Sequence, residues 1–408
     1  MQHLTVCAIL ALSLFTRCPL SSAQQMSTTF GEDLAFLQAH TAVVVLSDAA
    51  GMAKIIVSPA MQGRVLTSTA SGDAGMSYGW INRDLIASGE RQEHINVFGG
   101  EDRFWLGPEG GQFSIYFKEG DPFNLAHWHV PAAIDWDPFD VVAEAQDRIV
   151  FSRAMQLTNY SGTVFDFHVD REVRLLSREE ALGYVGLDVQ ASVSVVGYES
   201  VNTITNTGQE AWTRESGMLS VWILGMYNPS PMTTVVIPFV PGSEEALGPI
   251  VNDQYFGAVP SDRLVVADSV LFFKGDGAYR SKIGLSYRRS RSALGSFDAA
   301  GRVLTVVQYN RPDREAGYVN AMWELQEHPF AGDVINSYND GAPAPGAEPL
   351  GPFYELETSS PAAALLPGAA LTHIHRTIHL QGDAVALNSA AVANLGVGLE
   401  NVRNAFSQ

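Results

Sequence analysis

The sequence predicts an all-β protein, a large antiparallel sandwich with a few short helices. Three observations favour this class. Most apolar runs are short, rich in β-branched or aromatic residues, and bounded by Gly, Asn, Asp or Pro. Turn signals recur about every ten residues, which favours antiparallel strands over alternating strands and helices. Helical patterns are few, and none is long enough to form a helical domain.

The strand pattern is clearest in six runs. They are Ala42–Leu46, Lys54–Val57, Gln112–Phe117, Arg148–Phe151, Thr163–Val169 and Gly301–Tyr309. Helices are predicted at Asn82–Ser88, at Ser177–Tyr184 after a Ser-Arg-Glu-Glu capping pattern, and within Asp383–Leu399. Because strand patterns resume after every loop and no repeat interrupts them, residues 24–408 are predicted to form a single domain.

Residues 1–23 have the pattern of a cleaved secretory signal. The apolar run Leu4–Phe15 is too short to span a bilayer, and small residues precede a cleavage point near Ala23. The predicted localisation is therefore secreted or periplasmic, in a bacterium. Cys7 and Cys18, the two cysteines, both lie in this segment, so the mature chain would contain no disulfide and no cysteine-bound metal.

Charge limits the classes of partner. The chain has 25 Lys and Arg against 44 Asp and Glu, a formal net charge of −19. Such a chain repels nucleic acid and other polyanions at long range. After the signal segment, no run is long and apolar enough to predict a membrane span. A neutral ligand or a cation is the easier partner, and we expect a monomer or a small oligomer.

The C-terminal stretch Tyr354–Leu380 has the least random distribution of polar residues. It is predicted to form two strands joined by a Pro-Gly turn. Side chains alternate along a strand, so Glu357 shares a face with Glu355, and three histidines share a face of the second strand. This pattern favours a ligand, metal or catalytic site over a solvated strand face. The histidines His373, His375 and His379 are tentative ligands for a divalent metal ion, and no other cofactor is predicted.

A second dense stretch runs from Asn96 to Gly111. Two Gly pairs frame three carboxylates, an arginine and a tryptophan. An indole can stack on a sugar ring while guanidinium and carboxylate groups bind its hydroxyls. The predicted sugar contacts are Asn96, Arg103, Trp105 and Glu109. The alternative is a structural ion-pair loop with Trp105 in the core. His127 and His129 would form a plausible metal site only if they lay close to the C-terminal histidines.

Several of these segments resemble the galactose-mutarotase-like (aldose 1-epimerase) superfamily. Phe353–Pro361 followed by Leu366-Pro-Gly368 is similar to its C-terminal signature, Ile204–Trp212 to its mid-chain Thr-Asn turn, and Gly99-Gly100 with Arg103 to its Gly-Gly region. The strings at 99–109, 336–341 and 373–379 together resemble an uncharacterised secreted bacterial family within that superfamily. The matches extend from Asn96 to Leu380.

The resemblance implies a β-supersandwich whose concave sheet binds a carbohydrate. Glu357 falls on the position of the general base, and Arg103 falls near the hydroxyl-binding arginine. The epimerases carry an acid histidine after the Thr-Asn turn, but the segment Ser216–Ile223 of this chain contains none. The hypothesis is therefore that His373 or His375 supplies the acid or helps to hold a cation beside Glu357.

These observations predict a secreted protein that acts on or binds a neutral sugar in a cleft. As an enzyme it would be an epimerase, lyase or hydrolase that uses a glutamate base and a histidine. The alternative is a non-catalytic carbohydrate-binding protein of the bacterial envelope, and a third hypothesis is a metal-stabilised structural protein. The enzyme hypothesis expects Glu357, Arg103 and the histidine strand to surround one cleft.

Overall fold

The structure is a computed structural model that describes residues 28–407, so the predicted signal segment lies outside the described residues. Antiparallel strands dominate it, which confirms the predicted all-β class. The strands are β1 (Val44–Ser47), β2 (Lys54–Ser58), β3 (Arg64–Thr69), β4 (Arg103–Gly107), β5 (Asp140–Glu144), β6 (Arg148–Thr158), β7 (Val164–Leu175), β8 (Val193–Asn206), β9 (Ser220–Tyr227), β10 (Thr233–Pro238), β11 (Leu264–Val266), β12 (Val270–Lys274), β13 (Ser281–Ser286), β14 (Ala293–Asp298), β15 (Val303–Tyr309), β16 (Asp333–Asn339), β17 (Tyr354–Ser359) and β18 (Ala370–Gly382). The helices are α1 (Phe30–His40), α2 (Arg83–Ser88), α3 (Ala132–Asp135), α4 (Arg178–Tyr184), α5 (Glu244–Leu247), α6 (Ala384–Leu395) and α7 (Leu399–Asn404).

The largest sheet contains ten antiparallel strands in the order β11-β12-β10-β14-β15-β18-β8-β7-β6-β5. Its longest pairing joins β8 to β18, from Thr205 opposite Ala370 to Val193 opposite Gly382. Alternation along β18 directs His373, His375 and His379 to the interior, and Ile378 to the outer face. The histidine strand therefore lies near the middle of the large sheet.

The second layer is a five-stranded antiparallel sheet in the order β13-β16-β17-β9-β4. Its inner face packs on the large sheet, where Leu356 of β17 shares a buried cluster with Leu294 and Val307. The segments at 108–131 and 310–332 contribute residues that pack over its outer face. Because one face is buried by the large sheet and the other by these segments, strands β4, β9 and β17 are buried along their whole length.

Smaller elements cover the remaining surfaces. A three-stranded sheet, β1-β2-β3, packs with α1 through a cluster that includes Phe30, Leu37 and Ile56. Helices α4, α6 and α7 lie on the outer face of the large sheet, where Leu182 and Leu387 contact the same cluster as β15 and β18. None of the helices in residues 28–407 has the length and apolar character needed to cross a bilayer.

The predicted helix starts are confirmed because each depends on a local cap. The Ser177 hydroxyl accepts from the Glu180 backbone N–H at 3.2 Å, and the Glu180 carboxylate accepts from the Ser177 N–H at 2.9 Å. Asn82 caps α2 and Asp383 caps α6. The predicted C-terminal helix is divided in two at Gly396, whose φ of 70° ends α6.

Two predictions about strands are wrong. The segment Gln112–Phe117 forms no strand and instead packs irregularly over the five-stranded sheet. The stretch Tyr354–Leu380 does form two strands, but they do not pair with each other: β17 pairs with β16 and β9, whereas β18 pairs with β15 and β8. The connection between them crosses from one sheet to the other, which two-residue periodicity alone does not reveal.

Candidate functional site

Glu357 lies on β17, the central strand of the five-stranded sheet. Side chains alternate along the strand, so Glu355 and Glu357 point away from the large sheet while Thr358 points towards it. Glu357 is fully buried. Its Oε2 accepts hydrogen bonds from Lys282 Nζ at 3.0 Å and Trp222 Nε1 at 2.9 Å, whereas Oε1 has no hydrogen-bond partner in residues 28–407. Two donors therefore fix one oxygen of the carboxylate, and the other is left unpaired.

The two donors reach Glu357 from different strands. Trp222 lies on β9, which pairs directly with β17, and Lys282 lies on the edge strand β13, separated from β17 by β16. The Lys282 ammonium is 4.7 Å from the centre of the Trp222 ring and 5.4 Å from that of Tyr255, within cation–π range. Lys282 is only 8% exposed, so a carboxylate and two aromatic faces replace most of the water around its charge.

A narrow crevice opens beside this cluster on the outer face of the five-stranded sheet. Its cavity volume is about 20 Å³, little more than a single water requires. Glu357 lies behind the wall formed by its partners and does not itself line the crevice. A ligand in the crevice would meet Lys282 first and reach Glu357 after these side chains move. The residues that line this outer crevice are Gly107, Pro108, Glu109, Ser220, Trp222, Tyr255, Lys282, Val319, Ala321, Asp333, Asn336 and Ser359.

Carboxyl groups outnumber cations around the outer crevice. Burial raises the pKa of Glu109, Asp333 and Glu355, because the charged form loses its water. The charge of Lys282 opposes each of these shifts and favours the ionised carboxylates. The carboxyl groups are those of Glu109, Asp333, Glu355 and Glu357, and the cations are those of Lys282 and Arg103.

A second hydrogen-bond network in the crevice wall centres on Asp333. The Tyr255 hydroxyl donates to Asp333 Oδ2 at 2.7 Å, and Asn252 Nδ2 donates to the same oxygen at 2.9 Å. Asn336 Nδ2 in turn donates to the Tyr255 hydroxyl at 3.2 Å. These contacts fix a carboxyl, a phenol and an amide in one wall, the groups that bind hydroxyl-rich ligands.

Arg103 and Trp105 lie on β4 and face the same side of the sheet as Glu357. Arg103 Nη2 donates to Glu355 Oε1 at 3.1 Å, and the guanidinium lies 4.1 Å from the centre of the Trp105 ring. In the described part of the chain, Arg103 Nε and Nη1 and Trp105 Nε1 have no hydrogen-bond partner although they are buried. The structure thus brings Arg103, Trp105 and Glu109 into the region of Glu357, with Arg103 and Trp105 behind the crevice wall.

Asn96, the fourth predicted sugar contact, is engaged in a loop. Its Nδ2 donates to Asp135 Oδ2 at 2.7 Å, its backbone N–H donates to the same oxygen at 3.0 Å, and its Oδ1 accepts from the Gln92 N–H at 2.9 Å. Asn96 does not line the outer crevice.

The histidines lie on the other side of the five-stranded sheet from Glu357. His373 Nε2 and His375 Nδ1 both contact Thr358 Oγ1 at 2.8 Å. Because Thr358 follows Glu357 in β17, the two residues point to opposite faces. Burial lowers the pKa of His373 to about 3 and that of His375 to about 4. The structure therefore does not place these imidazoles and Glu357 around one cleft, as the enzyme hypothesis had expected.

His379 belongs to a separate buried cluster. Its Nε2 contacts Glu101 Oε2 at 3.0 Å and its Nδ1 contacts Thr305 Oγ1 at 2.9 Å. Glu101 also accepts from the hydroxyls of Ser68 and Tyr198. The hypothesis that His373, His375 and His379 share one metal ion finds no support in this geometry.

The remaining histidine pair is also divided. His127 Nδ1 contacts Asn124 Oδ1 at 2.8 Å, while the His129 ring stacks on His94 with 4.6 Å between ring centres. Within residues 28–407, no group of three or more His, Cys, Asp or Glu side chains is arranged to hold a metal ion.

Four important residues of this region were not predicted. Lys282 could have been recognised, because Ile283 and Leu285 mark the core face of Ser281–Ser286 and leave Lys282 on the opposite face. It is also one of only four lysines in the chain. The other three residues carry no local signal of a site, since each depends on partners distant in sequence. They are Trp222, Tyr255 and Asp333.

Comparisons with solved structures give matches of low sequence identity. A Synechocystis protein, Slr1438, is 13% identical with a TM-score of 0.49, and the match covers 84% of this chain and 96% of that one. A proposed aldose 1-epimerase from Escherichia coli K12 is 12% identical (TM-score 0.46; coverage 83% and 98%), and a galactose mutarotase-like protein from Lactobacillus casei is 11% identical (TM-score 0.44; coverage 83% and 100%). At these identities and TM-scores, the similarity says nothing about activity.

A search of curated protein sequences finds no significant match. A family model does match, over residues 28–406. That range covers nearly the whole described chain and includes β4, β9, β13 and β17, the strands that carry the Glu357 cluster. The chain therefore belongs to the family of unknown function DUF6786.

Proposed function

We propose that this protein binds a neutral sugar in the outer crevice and transfers protons at its anomeric centre, as in mutarotation or 1-epimerisation. The Glu357 carboxylate carries the proposal. It is buried, two donors hold its Oε2, and its Oε1 has no hydrogen-bond partner among residues 28–407. Proton removal from an anomeric hydroxyl needs a fixed base of this kind. The superfamily resemblance assigns the general base to the same residue.

The charge around the crevice supports a neutral ligand. Both cations of this region are already paired with a carboxylate, Arg103 with Glu355 and Lys282 with Glu357. A sugar acid or sugar phosphate would bring further negative charge into a site that has little uncompensated positive charge. Neutral hydroxyls, in contrast, can donate to Glu109 or Asp333 and accept from Lys282.

Binding requires the outer crevice to widen. Pockets for small molecules usually enclose about 300–1,000 Å³, whereas this crevice has about 20 Å³. Pro108 and Glu109 follow β4, and Val319 and Ala321 belong to the segment between β15 and β16. Separation of these two segments would admit a sugar ring and expose the Lys282–Glu357 pair.

A sugar-turnover screen of the wild type and Glu357→Gln tests the proposal. Exchange between the α and β anomers of common neutral aldoses is followed by magnetisation-transfer NMR or polarimetry. We expect Glu357→Gln to lower turnover by about 10²- to 10⁴-fold, the usual effect of losing a general base. The exposed Glu90→Gln is the matched control and should retain full turnover.

Equal turnover by the wild type and Glu357→Gln would remove Glu357 from the mechanism. Sugar binding by the wild type without any turnover would favour the alternative, a non-catalytic carbohydrate-binding protein. Calorimetric titration with the same sugars distinguishes these results.

We also propose that the protein is exported and acts outside the cytoplasm. The apolar run Leu4–Phe15 and the small residues before Ala23 support this part of the proposal. Expression in a bacterium, fractionation and mass determination of the mature protein provide the test. We expect a product that begins near Gln24 in the periplasm or medium, and an uncleaved cytoplasmic product would contradict the proposal.

A further inference from the structure

We infer that Lys282 is the proton donor that works with Glu357, in the role for which the sequence suggested a histidine. The inference rests on the proposed function. It concerns the group that protonates the ring oxygen of the sugar when the ring opens.

Lys282 is placed where a ligand in the outer crevice would reach it. Lys282 lines the outer crevice, whereas Glu357 lies behind it and His373 and His375 face the opposite side of the sheet. It is the only basic residue in the crevice lining of the described chain. A ligand in the crevice therefore meets the Lys282 ammonium before any imidazole or guanidinium.

Lys282 is also in direct contact with Glu357, the proposed base. Lys282 Nζ and Glu357 Oε2 are 3.0 Å apart, so the acid and the base are already in hydrogen-bond contact. The anomeric hydroxyl and the ring oxygen of a cyclic sugar are bonded to the same carbon. A proton acceptor and a proton donor placed side by side can therefore reach the anomeric hydroxyl and the ring oxygen of one sugar at the same time.

The surroundings keep Lys282 charged. Burial alone would lower the pKa of Lys282, but the neighbouring carboxylates, Glu357 above all, raise it. The Trp222 and Tyr255 rings lie within cation–π range of the same group. The proton to be donated is thus present before the sugar binds.

The reaction balances without any further reagent. Glu357 takes the proton of the anomeric hydroxyl, the bond between the anomeric carbon and the ring oxygen breaks, and Lys282 gives a proton to the ring oxygen. The open-chain aldehyde rotates about the bond next to its carbonyl. In the reverse step the ring oxygen attacks the other carbonyl face and returns its proton to Lys282, while Glu357 returns its proton to the carbonyl oxygen.

Glu109 is the competing donor. It lines the crevice, and burial raises the pKa of its carboxyl, which favours the protonated acid form. It makes no hydrogen bond to Glu357, however, whereas Lys282 does. The experiment therefore includes both residues.

The test compares Lys282→Arg, Glu109→Gln and the wild type in the anomer-exchange assay. Arginine keeps the positive charge and the hydrogen-bonding capacity but does not release its proton in the accessible pH range. We expect Lys282→Arg to lower kcat by about 100-fold or more, the usual contribution of a general acid, with sugar affinity changed by less than about threefold. Glu109→Gln removes a proposed sugar contact, so we expect weaker sugar binding, with kcat falling at least tenfold less than in Lys282→Arg. Lys54→Met, which breaks a surface lysine–aspartate pair of 2.8 Å, is the control and should retain full activity.

Chemical rescue separates proton donation from mere positioning of Glu357. Lys282→Ala removes the ammonium and leaves space for a small primary amine such as methylamine or fluoroethylamine. If Lys282 is the donor, added amines restore turnover and the rescued rate depends on the pKa of the amine. Rescue that is independent of amine pKa would indicate a positioning role and overturn the inference.

The outcomes also separate this inference from the proposed function. Loss of turnover in Glu357→Gln together with full turnover in Lys282→Arg would refute Lys282 as donor and leave the sugar proposal intact. Full loss in Glu109→Gln with none in Lys282→Arg would transfer the role to Glu109. A wild type that turns over no sugar would overturn both.

Discussion

The buried histidines His373 and His375 should make the protein less stable in mild acid than it would be without them. His373 is 1% exposed, and burial lowers its pKa to about 3, against about 6.5 in an unfolded chain. Between these values the unfolded chain binds a proton that the folded protein does not, so stability is lost as the pH falls from about 6.5 towards 3. At pH 5, about 1.5 units below the unfolded pKa, protonation of this imidazole stabilises the unfolded chain by about 2 kcal/mol, at about 1.36 kcal/mol per unit.

Urea unfolding at pH 7.5 and pH 5.0 measures this loss. His373→Gln removes the titrating group and keeps a polar side chain that can reach Thr358, so it should lose about 2 kcal/mol less than the wild type between the two pH values. Glu355, whose pKa burial raises, acts in the opposite direction, but it is present in both proteins and cancels in the comparison. His40→Gln, at an exposed helix end, is the control and should follow the wild type. If His373→Gln and the wild type lose the same free energy, His373 is not held neutral in the fold.

Two further substitutions examine the rest of the interior. Trp222→Phe removes the N–H donated to Glu357 Oε2 but keeps an aromatic ring next to Lys282. We expect the free energy of unfolding, measured with urea, to fall by about 1–3 kcal/mol and sugar turnover, measured by anomer exchange, to fall about tenfold. Unchanged turnover would show that this hydrogen bond does not orient Glu357. Arg171→Met leaves Asp102 buried without its partner at 2.7 Å, and should cost about 3–5 kcal/mol in the same unfolding assay, whereas the exposed Arg148→Met should cost little.

The sequence predicted well the features that depend on neighbouring residues. Ser177 and Glu180 form their capping box within one turn, and the β-branched runs in Lys54–Val57 and Gly301–Tyr309 are each contained in one short segment. The face of Glu357 was also predictable, because it follows from alternation within β17. The superfamily resemblance assigned Glu357 and Arg103 to one region, and both side chains lie on the outer face of the five-stranded sheet, where Arg103 bonds Glu355.

Pairing between distant segments was not predictable from periodicity. Alternation placed the histidines on one face of β18 but did not show which sheet contains that strand. β18 pairs with β8, which lies more than 150 residues earlier in the sequence. Lys282 was missed for the same reason, because its partner Glu357 is 75 positions away in the sequence. Gln112–Phe117 has a strand composition but no partner strand, because its aromatic side chains pack over β4 and not within a sheet.

The shared contact of His373 and His375 with Thr358 links the tautomers of the two rings. A hydroxyl has one proton, so Thr358 can donate to only one of the two nitrogens that face it, and at least one ring must carry its own proton on the facing nitrogen. The proton positions in the centre of the sandwich are therefore correlated. In NMR spectra we expect ring N–H signals here that exchange slowly with solvent, and a change at Thr358 should shift the signals of both rings together.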